Sequence, residues 1–301
     1  MYLRFLQQGC GALALVSAFL VPLVSVSEAW SRGRGPVDTV ESLLAAPLPS
    51  MSRWAGEELH YSVNMMGGEA ARGAITVGRA TVDENLGEVV PVEGLIQSVG
   101  LLSAMVRFRY GGFTWMDAEF GLPLWGDKLL EDGGRTRSYQ TAYGLDDYRV
   151  DVTRLENERS RTWSRLTPSR VDDAFSWIFR LRSAPLEVGD VYSFYIFDGW
   201  LMRRLHARVV SHVERPEDVT GRKNVMAAEL VLVADAMDEN ASLPWLAGDA
   251  SLSPVFTTHR VDDVGTMWIS LDDRRLPVAL EVRTPIGFMR INLSRHVPPS
   301  R

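Results

Sequence analysis

The sequence predicts a mainly β protein: an antiparallel, open or partly closed β-barrel with one central helix at about residues 169–183, preceded by a signal peptide. Three observations point that way. From residue 57 onward, apolar and polar residues alternate with period two, as strands with one buried face require. Glycine- and aspartate-bearing breaks recur between these runs and supply turns. One stretch alone, with Val171, Phe175, Ile178 and Phe179, changes to helical spacing.

The chain opens on an export signal. Arg4 and the amino terminus carry positive charge, an uncharged and mostly apolar run covers residues 11–26, and Ser27-Glu28-Ala29 places small residues where a signal peptidase must accept them. Cleavage after Ala29 is expected, with the periplasm as destination. The competing reading is a membrane anchor, which needs ~20 apolar residues. This run is shorter, and Pro22 interrupts it. The sole cysteine, Cys10, precedes most of the apolar run, whereas a lipid-modified cysteine would follow it. Cleavage leaves a chain of about 270 residues, enough for one large domain or two small ones. That chain has no thiol, which excludes disulfides, cysteine nucleophiles and thiolate metal sites.

Residues 30–55 read as a leader or linker, Arg/Gly-rich and then briefly amphipathic between Pro36 and Pro47. Residues 56–296 form the expected single domain. Leu59, Tyr61, Val63 and Met65 alternate with polar residues, and Met66-Gly67-Gly68 turns the chain into a partner strand. Asp83-Glu84-Asn85 and Gly87 make the next turn, before strands at about 89–99 and 106–116. Residues 139–163 continue in short strand-like pieces. The helix follows, with Ser169 placed as cap, Asp172 and Asp173 in its first turn, Arg180 and Arg182 in its last, and Pro185 as stop. Asp198-Gly199 marks a hairpin between strands at about 190–197 and 201–214. Further strands are expected at about 224–235, 265–271, 276–284 and 288–294. A long loop, 236–259, separates the first of these from the rest, and its apolar tip of Leu243, Trp245 and Leu246 is a candidate lid that equally suits packing on the domain.

Three stretches resemble a family of exported bacterial proteins, the domain of unknown function DUF3108. They are Gly56-Glu57-x-Leu59-x-Tyr61; Asp173-Ala174-Phe175-Ser176-x-Ile178-Phe179-x-x-Arg182 with Pro185-Leu186 and Gly189-Asp190; and Trp268-Ile269-Ser270-x-Asp272-Asp273-Arg274-Arg275-x-Pro277, ending in Ile286-Gly287. The resemblance implies a signal-bearing, β-rich envelope protein with no assigned activity, and it supplies no catalytic residues. In that setting the helix reads as a plug pinned to a barrel wall by Asp173 and Arg182, with Arg274 or Asp272 as partners for the buried charges. Solvated charges placed to suit the helix dipole are the alternative.

Composition and motifs exclude more than they assign. The chain has 32 basic and 38 acidic residues and a net charge of −6, unchanged by loss of Arg4 with Glu28. No strongly basic patch stands out, so nucleic acid is not expected as a partner. There is no Gly-x-Ser-x-Gly elbow, His-Glu-x-x-His or Walker loop. His206 and His212 sit ~20 Å apart along one strand and cannot share a metal. His60 and His259 lie near carboxylates without a nucleophile, and His296 has no evident partner. No catalytic residue, metal or cofactor is assigned. Trp177, Phe179 and Trp268 are candidates to line a ligand cavity, although a filled core accounts for them as well. The expected role is non-enzymatic binding of a lipid or other apolar envelope component, without a membrane span after cleavage. The alternative is a structural module that binds envelope proteins. A hydrolase using His60 or His259 would require a pocket at one of them.

Overall fold

The computed structural model describes residues 50–105, 107–132, 134–197, 199, 202–218, 223–236, 262–284 and 287–299. The expected signal peptide, most of the leader and nearly all of the long loop, with Leu243, Trp245 and Leu246, lie outside the described residues.

Period-two alternation becomes β1 (Glu58–Met65), with Leu59, Tyr61 and Val63 buried, and β2 (Gly68–Val77). Met66 and Gly67 join them with φ of 52° and 83°, the turn geometry that follows the twist of paired strands. Then come β3 (Thr81–Asp83), β4 (Gly87–Ser98), a six-residue helix α1 (Gly100–Met105), and β5 (Phe108–Asp117). The next region, expected as short pieces, is a regular meander of β6 (Pro123–Asp132), β7 (Arg135–Gly144), β8 (Arg149–Glu156) and β9 (Arg159–Leu166). Helix α2 (Ser176–Ser183) follows. The chain ends in β10 (Val191–Phe197), β11 (Met202–Pro216), β12 (Asn224–Ala236), β13 (Asp262–Ser270), β14 (Pro277–Thr284) and β15 (Gly287–Val297).

All fifteen strands belong to one sheet, in the order β10-β11-β12-β13-β14-β15-β1-β2-β4-β5-β6-β7-β8-β9, with β3 on β4. Pairings between strands are antiparallel. The edges, β9 and β10, do not pair with each other, so the barrel is open.

Register shows how the edges are hidden. Directly opposed residues of paired strands share a face. Phe194 opposes Leu205, and both belong to the main core around α2. Phe197 opposes Met202 on the other face of β10 and β11, where they meet Tyr139, Val150 and Val152 of β7 and β8 in a second core with Val171. The β7–β9 end therefore laps over the outside of the β10–β11 end. The sheet is rolled like a scroll, and overlap does what hydrogen-bonded closure does in a complete barrel.

The connection between the two edges runs through this overlap. The Asp172 amide donates to the Tyr195 carbonyl at 2.7 Å, and the Phe197 amide donates to the Asp172 carbonyl at 2.8 Å, a parallel bridge to β10. This pairing corrects the expected helix start. Residues around Asp172 are extended because β10 satisfies their backbone, so the helix begins at Ser176 instead of 169. Ser169 caps nothing; its hydroxyl donates to the Arg170 carbonyl. Arg180 and Arg182 do occupy the last turn, which ends just before Pro185. Eight residues are too few for a helix to persist alone in water, and packing of Trp177, Ile178, Phe179 and Leu181 in the core holds this one. The leader also ends earlier than expected. Met51–Trp54 is a 3-10 turn whose Met51 and Trp54 are buried in the main core.

Candidate functional site

Helix α2 fills the inside of the scroll, and two polar anchors fix it there. At its carboxyl end, Arg182 is fully buried. Its Nη1 and Nη2 donate to the two carboxylate oxygens of Glu57 at 2.6 and 2.8 Å. Its Nε donates to the Arg275 carbonyl at 2.9 Å, and Nη2 also reaches the Arg274 carbonyl at 3.1 Å. The guanidinium lies over the rings of Trp54 and Phe179, at 4.9 and 5.3 Å from their centroids. His296 Nε2 donates to Glu57 Oε1 at 3.1 Å. Burial pushes the Glu57 carboxyl up, but the hydrogen bonds and charges of His296 and Arg182 outweigh it and hold the group below its ordinary range.

The second anchor precedes the helix. Asp173 Oδ1 accepts from the amides of Phe175 and Ser176 at 2.9 and 2.8 Å, and so performs the capping expected of Ser169. Its Oδ2 accepts from the Thr114 hydroxyl of β5 at 2.5 Å. Asp172, also buried, accepts from the Ser176 hydroxyl at 2.8 Å and from Arg180 Nη1 at 2.5 Å. Burial pushes the Asp172 carboxyl up, and the charge of Asp173 adds to this; Arg180 and Ser176 offset only part of it.

Asp173 and Arg182 thus both reach the wall, but through partners other than those expected. Asp272 and Arg274 bind each other at 2.5 Å at the sheet end, and Arg274 makes a bidentate pair with Glu217 at 2.7 and 3.1 Å. Arg274 contributes only its carbonyl to the helix. Their side chains stand apart because Arg182 meets the turn between β13 and β14 from the inside, through its backbone. From the sequence, Glu57 and Thr114 have no place at the anchors, Arg180 is named only for the helix dipole, and His296 has no partner. Glu57 had one signal, a charge directly before a strand of buried residues.

Two small cavities border the helix segment among the described residues. One cavity of about 40 Å³ lies between Phe175 and the β2–β4–β5–β6 wall, and one of about 30 Å³ touches Trp177, Ile178 and Tyr61. Of the three aromatic candidates, Trp177 alone lines either cavity. Phe179 packs against Trp54 with centroids 5.2 Å apart, and Trp268 lies under Arg215 at 4.2 Å. The histidines are occupied locally: His60 with Glu58 at 3.0 Å, His206 with Ser193 at 2.6 Å, and His212 with the Leu186 carbonyl at 2.8 Å. Neither cavity touches His60, and His259 lies outside the described residues. Among the described residues no group of three potential ligands is placed to hold a metal ion, and no helix is long and apolar enough to cross a membrane.

A rolled antiparallel sheet around an ion-paired internal helix defines a β-barrel-like protein. The chain belongs to the DUF3108 family, a protein family of unknown function, which it matches over residues 60–294. Among solved structures it resembles a β-barrel-like protein of the domain of unknown function DUF1849 from Brucella abortus, with a TM-score of 0.52 at 10% identity, over 83% of this chain and 100% of that one. A protein described as a "putative lipoprotein" from Parabacteroides distasonis matches at a TM-score of 0.33 and 8% identity, over 83% of this chain and 97% of that one. No curated protein matches the chain.

Proposed function

We propose that this is an exported, non-enzymatic protein of the bacterial envelope that acts through its outer surface as an interaction module, and not as a carrier enclosing a whole lipid. The carrying observation is the small size of the two cavities beside the helix segment. Cavities of about 40 and 30 Å³ compare with roughly 300–1,000 Å³ for sites that enclose a ligand. Export rests on the sequence of residues 1–29, with cleavage after Ala29.

The outer face of β4–β8 offers an apolar surface. Leu95, Leu129 and Leu155 stand in one cross-strand row, spaced by Gly111 and Ser138, and all three leucines are exposed. Half-exposed Phe113, Trp115 and Trp125 cluster beside them, with centroids 4.9 and 6.2 Å from Phe113. A contiguous patch of this kind suits an envelope protein with an apolar face of its own.

The test is in-cell photo-crosslinking from Leu129, with Phe288 on β15 as a distant exposed control, alongside native mass spectrometry of the gently purified protein. The expected result is an adduct specific to Leu129, a mature chain starting at Trp30, and no retained two-chain lipid. A stoichiometric two-chain lipid, or equal crosslinking from both positions, would overturn the proposal.

A further inference from the structure

Gly94 and Gly112 oppose each other directly in β4 and β5, on the inner face. Together they leave a floor two strands wide with no side chains. The ring of Phe175 lies on that floor: a Cβ at Gly94 would stand 2.4 Å from its Cε1, and one at Gly112 would stand 3.1 Å from its Cζ. Glycine within a strand marks close approach of another group, and here the group is one aromatic ring that lines the larger cavity. Ile75, Ile96, Tyr110, Lys128 and Leu130 line the same cavity.

Two further observations concern the rim. Lys128 opposes Gly112, and Leu130 opposes Tyr110 and Arg137, so all share the inner face. Lys128, Leu130 and Arg137 are nonetheless half-exposed, so the scroll admits solvent at this corner. On the same wall the hydroxyl of Tyr110, a residue 6% exposed, is buried with no hydrogen-bond partner among the described residues. A buried hydroxyl left unpaired is costly.

We infer that the Gly94–Gly112 floor, once uncovered by Phe175, is a binding site for part of the linear acyl chain of an anionic single-chain amphiphile, the rest of the chain staying outside the cavity. The ring of Phe175 covers the floor when it is empty and swings off the glycines to admit the chain. The carboxylate stays at the rim, where Lys128 and Arg137 supply positive charge and the Tyr110 hydroxyl supplies a donor. This site is separate from the outer face proposed above, and either can fail without the other. The chemistry that fits is that of a free fatty acid, one acyl chain with a carboxylate head.

The probe is cis-parinaric acid, whose fluorescence rises in an apolar site, titrated into the mature protein. One arm uses the free acid and another its methyl ester. A third arm adds oleic acid as competitor. Saturable binding of one molecule per chain is expected, tightened about tenfold by Phe175→Ala, which removes the competing ring. Lys128→Met should weaken the acid about fivefold and leave the ester unchanged, a difference that general loss of structure would not produce. Displacement of the probe by oleic acid supports the site, and its absence at saturating oleic acid would overturn it. Absence of saturable binding in both the native protein and Phe175→Ala would overturn it, as would equal effects of Lys128→Met on acid and ester.

Discussion

Glu57→Gln is the sharpest test of the helix anchor, because it keeps the side chain's shape and removes its charge. Arg182 is 0% exposed and loses its counter-ion where water cannot replace it. Breaking one member of a buried pair costs about 3–5 kcal/mol. At about 2–4 °C per kcal/mol for a chain of this size, the melting temperature should fall by about 6–20 °C. The pH dependence has a definite sign. The Glu57 carboxyl is held below its ordinary value of 4.5. Its contribution is therefore complete above that value and lost as pH falls through the lower folded one. Thermal unfolding followed by circular dichroism should show the full gap between wild type and variant at pH 7 and a shrinking gap below about pH 4.5. Adding Arg182→Met to Glu57→Gln removes the stranded charge, so the double variant should cost less than the two single losses added together. A Glu57→Gln protein within about 1 kcal/mol of wild type at pH 7, or strict additivity in the double variant, would refute the anchor.

Asp173→Ala removes a cap worth about 0.5–2 kcal/mol and leaves the buried Thr114 hydroxyl without its acceptor, about 1–3 kcal/mol more. Urea unfolding should register the sum, and an unchanged midpoint would mean that the helix is not held at this end. Asp172→Asn tests the opposite sign. The Asp172 carboxyl is raised above its ordinary 3.8 by burial, so its contribution is complete below that value and lost as pH rises through the folded one. Stability measured from about pH 4 to 7 should move progressively in the variant's favour relative to wild type, and a constant difference would contradict the assignment.

How much of this was legible depended on the range of the interaction. Strands were readable because Leu59, Tyr61 and Val63 declare a buried face within five residues, and the hairpin at Gly199 needs only its own positive φ. The start of α2 was misread because Ser169, Asp172 and Asp173 mimic a cap and an acidic first turn. What decides the matter is the backbone of β10, more than twenty residues away, which holds Asp172 extended. The partner of Arg182 was hidden further still, 125 positions upstream. Asp272 and Arg274 looked suitable by chemistry, yet they satisfy each other and Glu217. No local pattern could show that Phe113 and Trp115 point outward while Phe108 and Tyr110 point in, since both pairs alternate correctly and only burial separates them.

An open scroll has a problem that a closed barrel lacks: no hydrogen-bonded seam fixes how far its ends overlap. Apolar contact between β7–β8 and β10–β11 is non-directional and would tolerate a slip. Helix α2 supplies the missing direction. Its anchors reach Thr114 on β5, the Glu57 side chain before β1, and the carbonyls of Arg274 and Arg275 after β13, while Asp172 pairs with β10 itself. Four separated points of one sheet are thereby tied to one short, rigid element. Apolar side chains of similar size would fill the interior equally well and, by the usual accounting of buried ion pairs, would not lower stability. What they would not do is select one overlap among many. Buried charge at Glu57 and Arg182 is thus best explained by the roll it enforces, and replacing both by apolar residues should preserve stability more faithfully than it preserves the single position of β9 against β10.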